Sequence, residues 1–131
     1  MQIKVKLNDS NSTRVSAEAL QKQLTSIFAA VGCSDRHADI AAKVLLAASV
    51  RGVDTHGVSN VVGYSRSAED GTYTVPQKTE IINESSTTAL VSACNGIGLI
   101  SAYEGMEIAI DKAKSHGLGM VSIKDGHHVG I

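Results

Sequence analysis

Two short stretches of this chain set histidine beside glycine where an apolar segment has just ended. They are Arg51-Gly52-Val53-Asp54-Thr55-His56-Gly57 and Asp125-Gly126-His127-His128-Val129-Gly130. An imidazole titrates near neutrality, so at the edge of a core it is suited to passing a proton in either direction. Neighbours can tune it there, and a substrate can reach it. Two such turns, far apart in sequence, point to one catalytic site assembled from distant segments. His56 and His128 are the candidates, because each follows a secondary-structure element and lies within two residues of a glycine. The other histidines have plainer explanations. His37 falls on a helix face just after a cap. His116 precedes a helix-stopping Gly117, where its charge would favour the helix C-terminus. His127 reads as a solvent-facing turn residue.

Other chemistries find less support in the residue pattern. His56, His127 and Asp54 would be the ligands of a metal-dependent hydrolase, but no pair of histidines has the H-E-x-x-H spacing and no cysteine pair supports a closed zinc site. No metal is expected. Ser122 and Thr55 lie near histidines, yet there is no G-x-S-x-G elbow. Cys33 and Cys94 are far apart, have no run of positive charge beside them, and are expected to be reduced thiols. Asn95-Gly96-Ile97-Gly98 sits between a strand and a helix, as a dinucleotide fingerprint would. Its third glycine would fall on Ser101, and no acidic residue closes the next strand, so the loop reads as a tight turn into the helix. It assigns no cofactor-binding residue.

These residues need elements to hold them, and hydrophobic periodicity supplies a list. Met1 to Leu7 alternates like a strand. Ser16 can cap a helix with a stripe of Leu20, Leu24, Ile27, Phe28 and Val31, ended by Gly32. Ser34 can cap a second, with Ala38, Ala41, Val44, Leu45 and Ala48 on one side, closed by Arg51-Gly52. The two predict a helical hairpin. Val58 to Ala68 reads as a shorter helix with Val61, Val62 and Ser65 inward, stopped by Asp70-Gly71. Thr79–Asn83 and Thr87–Ser92 predict a hairpin. Leu99, Tyr103, Met106, Ile110 and Ala113 form the stripe of a helix reaching about Ser115, and Leu118–Ile123 is a closing strand.

At 131 residues the chain is long enough for one domain with a core. A net charge of −1 gives no electrostatic reason to expect nucleic acid or a membrane surface, and the start lacks a signal peptide's apolar region. The pattern divides into an N-terminal helical segment (1–75) and the start of an αβ domain (76–131), an α/β chain that is α+β over this length. A strand followed at once by Gly-His-His-Val-Gly-Ile looks like a chain entering a new element, so an N-terminal piece of something longer is expected.

Taken in order, Arg51-Gly-Val-Asp-Thr-His-Gly57, Asn95-Gly-Ile-Gly98, the helix with Ala102, Met106, Ala109-Ile110 and Ala113, Gly117-Leu-Gly-Met-Val121 and His128-Val-Gly130 resemble the malate/L-lactate dehydrogenase family. Those are NAD(P)-dependent oxidoreductases of non-Rossmann fold, much longer than this chain, among them the ureidoglycolate and sulfolactate dehydrogenases and piperideine-2-carboxylate reductases. The resemblance covers the chain from about Val15. It implies hydride transfer between NAD or NADP and a 2-hydroxy acid, with the 2-oxo acid as the other partner. His128 then falls on the proton-transferring histidine and His56 on the histidine lining the same site. A substrate-binding lysine is expected beyond Ile131. Arg51 and Asn60 are the substrate-binding candidates, with Asn60 standing where the family often has arginine and Val129 where it often has an aromatic residue. A cytoplasmic homodimer is also implied. The rival class is a small αβ binding or structural module whose histidine turns only cap elements.

Overall fold

The computed structural model describes residues 13–131, so the strand expected over Met1–Leu7 lies outside the described residues. Helix α1 (Ala17–Ala30) starts at Ser16, whose Oγ accepts the Ala19 N–H at 3.1 Å. Helix α2 (Asp35–Val50) starts the same way, with Ser34 Oγ accepting the His37 N–H at 3.3 Å. Each hydroxyl satisfies one of the amide donors that a helix start leaves unpaired, so both starts are legible in sequence. Gly32, between the helices, has φ +104°, a backbone conformation that costs glycine little and other residues more. Leu24 and Phe28 of α1 and Ala38, Ala41, Leu45 and Ala48 of α2 are buried, giving the hairpin that the three-four spacing predicts.

Two short 3-10 turns, Asp54–His56 and Val58–Asn60, lead from α2 into α3 (Val61–Glu69). Here the inward face differs from the expected one. Val62 is 53% exposed, and the buried residues are Tyr64 and Ala68. The helix turns this way because Tyr64 packs between Phe28 and Tyr73, with ring centroids 6.2 and 5.9 Å away. One aromatic ring buries more apolar area than a valine, so it decides the orientation.

Strands β1 (Glu80–Glu84) and β2 (Thr88–Ser92) pair antiparallel, with an irregularity in register between Ile81 and Asn83. Helix α4 (Gly98–His116) crosses to β3 (Met120–Lys124), which pairs parallel to β2, so the sheet order is β1-β2-β3. This is the β-β-α-β unit the pattern predicts, and the described chain is an α+β fold. The stripe expected to bury α4 holds at Leu99 and is corrected beyond it. Tyr103, Met106 and Ile110 are 41, 60 and 44% exposed, whereas Leu99, Ile100, Ser101 and Gly105 are buried. Ile123 and Val121 of β3 press against Gly105, so the face of α4 with little side chain is the one that meets the sheet. Phe28, Leu45 and Tyr64 share one apolar cluster with Ile97, Leu99 and Ile100, across the boundary expected near residue 75. No described helix is long and apolar enough to cross a membrane.

Candidate active site

The two histidine turns meet. The rings of His56 and His128 lie 5.1 Å apart, centroid to centroid, although they come from opposite halves of the chain. Two close backbone approaches make this possible. A Cβ on Gly57 would fall 2.2 Å from Ser49 Oγ of α2, and the same hydroxyl accepts the Val58 N–H at 2.9 Å. The His56 turn is thereby tied down on the last turn of α2. A Cβ on Gly98 would fall 2.2 Å from the His127 carbonyl oxygen and 2.3 Å from that of His128. The second turn therefore sits directly on the start of α4, where only hydrogen at Cα leaves room.

The loop before α4 completes the mounting. Cys94 and Asn95 have φ of +50° and +62°, and Gly96 N–H closes a tight turn on the Ala93 carbonyl at 2.8 Å. Ala93 N–H and Asn95 N–H donate to the carbonyls of Lys124 and Asp125, so the loop is zipped to the end of β3. Ser92 Oγ donates to Asp125 Oδ2 at 3.0 Å, and Lys124 pairs with the same carboxylate. Those two contacts hold the Asp125 carboxyl below its ordinary value, the Lys124 hydrogen bond being the larger cause. His127 is not the solvent-facing residue expected. It is half-buried, with its ring tilted against Tyr73 at a centroid distance of 4.3 Å, and with Nε2 and Asn95 Oδ1 2.8 Å apart. Its ring anchors the turn that carries His128.

A cleft of about 280 Å3 opens beside His128, lined also by Thr55, Asn60, Gly63, Tyr64, Ser67 and Tyr73. Sequence reasoning passed over Tyr64, and it is the closest partner of the candidate base: its Oη lies 2.7 Å from His128 Nδ1 and 3.4 Å from the His128 carbonyl oxygen. Burial raises the Tyr64 hydroxyl to about 12, with Tyr73 adding to the effect, so it stays a phenol at neutral pH. The signal that could have found it is the spacing from Asn60, since residues 60, 63, 64 and 67 fall on one helical face. His56 Nδ1 is 2.9 Å from Thr55 Oγ1. Neither ring's Nε2 bonds another described residue.

The other sequence candidates divide. Asn60 lines the cleft and donates from Nδ2 to the Thr55 carbonyl at 2.9 Å. Arg51 is exposed at the C-terminal cap of α2 and is not among the residues lining the cleft. The hydrolase alternative lacks its ligand set, since no three described His, Cys, Asp or Glu side chains converge as metal ligands. The Asn95–Gly98 loop also does not fit a dinucleotide phosphate. Carbonyl oxygens occupy the space at Gly98, and the Gln77 side chain lies against Gly96, so the Asn95–Gly98 loop is packed by protein and not open to phosphate.

Malate/(S)-sulfolactate dehydrogenase of Methanothermus fervidus is 35% identical over 89% of this chain, which covers 34% of that protein. L-sulfolactate dehydrogenase of Methanothermobacter thermautotrophicus is 32% identical over 90% of the chain and 35% of its own length. Malate dehydrogenase of Pyrococcus horikoshii superposes with a TM-score of 0.91 at 31% identity, over 97% of this chain and 36% of that one. The chain therefore spans about a third of the length of the relatives it matches. The family model described as malate/L-lactate dehydrogenase matches residues 15–131. By that match the chain belongs to the malate/L-lactate dehydrogenase family.

Proposed function

We propose that this chain supplies the proton-transfer half of a dehydrogenase acting on 2-hydroxy acids. The observation that carries the reading is the convergence of the His56 and His128 rings, with His128 lining a cleft and Tyr64 on the far nitrogen of its ring. In oxidation, His128 Nε2 takes the proton of the substrate hydroxyl; in reduction, it returns it. For Nε2 to accept, a neutral ring must carry its hydrogen on Nδ1, donated to Tyr64 Oη. Tyr64 in turn can donate to the His128 carbonyl. The pair thus selects a ring orientation as well as a tautomer. His56, one ring away, hydrogen-bonds the substrate or orients it.

The hydride chemistry belongs to a nicotinamide, NAD or NADP, held mostly by residues expected beyond Ile131. Family membership and the relatives' names support this part of the reading, one of them being a ureidoglycolate dehydrogenase named for NAD(+). The same membership supports a cytoplasmic homodimer. His128→Ala in the full-length enzyme is expected to lower turnover by about 100-fold or more while leaving folding intact. Wild-type turnover in that variant would end the assignment. The 131-residue chain alone is expected to show no nicotinamide-dependent turnover.

A further inference from the structure

All four hydrogen-bonding groups of Asn95 are engaged, and they reach the two segments that bring Tyr73 and His128 to the cleft. Its backbone N–H donates to the Asp125 carbonyl at 2.8 Å, and its carbonyl accepts the Thr74 N–H at 2.9 Å. The side chain spans the same gap. Nδ2 donates to the Thr72 carbonyl at 2.9 Å, and Oδ1 lies 2.8 Å from His127 Nε2. The Thr72 carbonyl can only accept, so the amide nitrogen must face it and the amide oxygen must face His127. His127 therefore carries a hydrogen on Nε2 and donates it. At φ +62° Asn95 is in the left-handed region, which asparagine, aspartate and glycine enter more readily than other residues.

We propose that Asn95 and His127 are positioning residues, which clasp the Tyr73 segment to the histidine turn and so fix the placement of His128 against the cleft wall. The inference rests on the dehydrogenase reading above. Residues 72 and 74 both bind Asn95, so Tyr73 is held by its own flanks. Its ring meets His127 at a centroid distance of 4.3 Å and Tyr64, the partner of His128, at 5.9 Å. Its N–H donates to the Ser67 carbonyl of α3 at 2.7 Å, so the clasp ties α3 to the turn as well. Asn95 is exposed, and hydrogen bonds open to water add little to stability. What they fix is placement, and a misplacement of about 1 Å can cost about 100-fold in rate. The clasp has two halves. The His127 bond holds the turn that carries the base, and the Thr72 bond holds the wall that the substrate meets.

The test uses the full-length enzyme carrying these residues, assayed with NAD and with NADP on whichever of L-lactate and L-malate it turns over faster. Asn95→Gly keeps the left-handed backbone and removes both side-chain bonds. It is expected to lower kcat about tenfold and raise KM about fivefold, with thermal unfolding little changed. His127→Phe keeps a ring against Tyr73 and loses only the bond to Asn95, so kcat should fall about tenfold with KM within about twofold. Asn95→Asp keeps an acceptor for His127 but sets an oxygen against the Thr72 carbonyl. There KM should rise about fivefold with kcat within about twofold. Combining Asn95→Gly with His127→Phe should lower kcat no further than either alone, because both remove one bond. Wild-type kcat and KM in Asn95→Gly overturn the inference and leave the dehydrogenase reading standing. So do falls in kcat that multiply in the double variant, or a fall that only tracks lost folded protein while KM stays put. If Asn95→Gly does not fold, the other two single variants carry the test, and the same kcat-to-KM pattern in both overturns it. Turnover of no 2-hydroxy acid with either nucleotide ends the dehydrogenase reading, and the inference falls with it.

Discussion

Helix α2 carries histidine chemistry near both of its ends, roughly 24 Å apart for 16 residues, and the two ends are built differently. At the N-terminal end, His37 Nε2 lies 3.0 Å from Glu104 Oε1 of α4, and Arg36 bridges Glu104 and Glu107. That imidazole is largely buried against the Glu104 carboxylate, and it fastens α2 to α4. Beyond the C-terminal end, His56 and His128 have hydroxyl partners and no carboxylate, and a cleft opens beside them. A buried histidine with one nitrogen on a carboxylate and the other sealed from solvent is a structural tie. One held by neutral hydroxyls, with a nitrogen left over, is available for proton transfer. Residue type is the same at both ends, and the partners decide the role.

The largest effect that would break this contrast comes from Gly98→Ala. Its added methyl would sit 2.2 Å from the His127 carbonyl oxygen, so either the start of α4 or the histidine turn must move. The expected cost is about 3 kcal/mol in urea denaturation, with turnover of the full-length enzyme lost along with the placement of His128. Wild-type stability would mean that the turn does not sit on α4. Tyr64→Phe is milder, because the ring still fills its place against Phe28 and Tyr73 while the hydroxyl on Nδ1 is gone. It should lower kcat about tenfold with little change in KM. A change confined to KM would show that Tyr64 shapes the cleft and does not position the base.

The smallest effect belongs to the other end of α2. Burial pushes the Glu104 carboxyl up, but the nearby Thr79 hydroxyl and the contacts with His37 and Arg36 outweigh it, and the net value lies below the ordinary 4.5. A depressed carboxylate contributes stability that is present above the unfolded value and is lost as pH falls through the folded one. Glu104→Gln is therefore expected to cost about 1–2 kcal/mol at pH 7, and progressively less below about pH 4.5, with turnover unchanged. Stability curves against pH that coincide for the two proteins across the acid range would show that the tie contributes nothing. A fall in turnover would mean that the two ends of α2 are not separate.

The elements were legible where their causes are local. Ser16 and Ser34 cap helices by reaching three residues ahead, Gly32 and Gly117 end them at positive φ, and the β-β-α-β order follows from runs of alternating and three-four spacing. The histidine turns were legible for the same reason, as titratable groups beside glycine at segment ends. The inward face of α3, the exposure of Tyr103 and Met106, and the half-burial of His127 were not legible. Periodicity locates a stripe, but which stripe is covered depends on the surface a distant segment offers. Tyr64 illustrates this, since its decisive partner lies 64 residues away.

The amino-acid sequence by itself determined where helices begin and stop, which residues could move a proton, and the family to which they are similar. Tertiary structure alone decided that the His56 and His128 rings meet beside a cleft, that Tyr64 stands behind one of them, and that Arg51 does not line that cleft. Capping and turn formation are settled by atoms a few bonds apart. The meeting of two imidazoles depends on two backbone contacts, at Gly57 and Gly98, so close that a single methyl group would block either one.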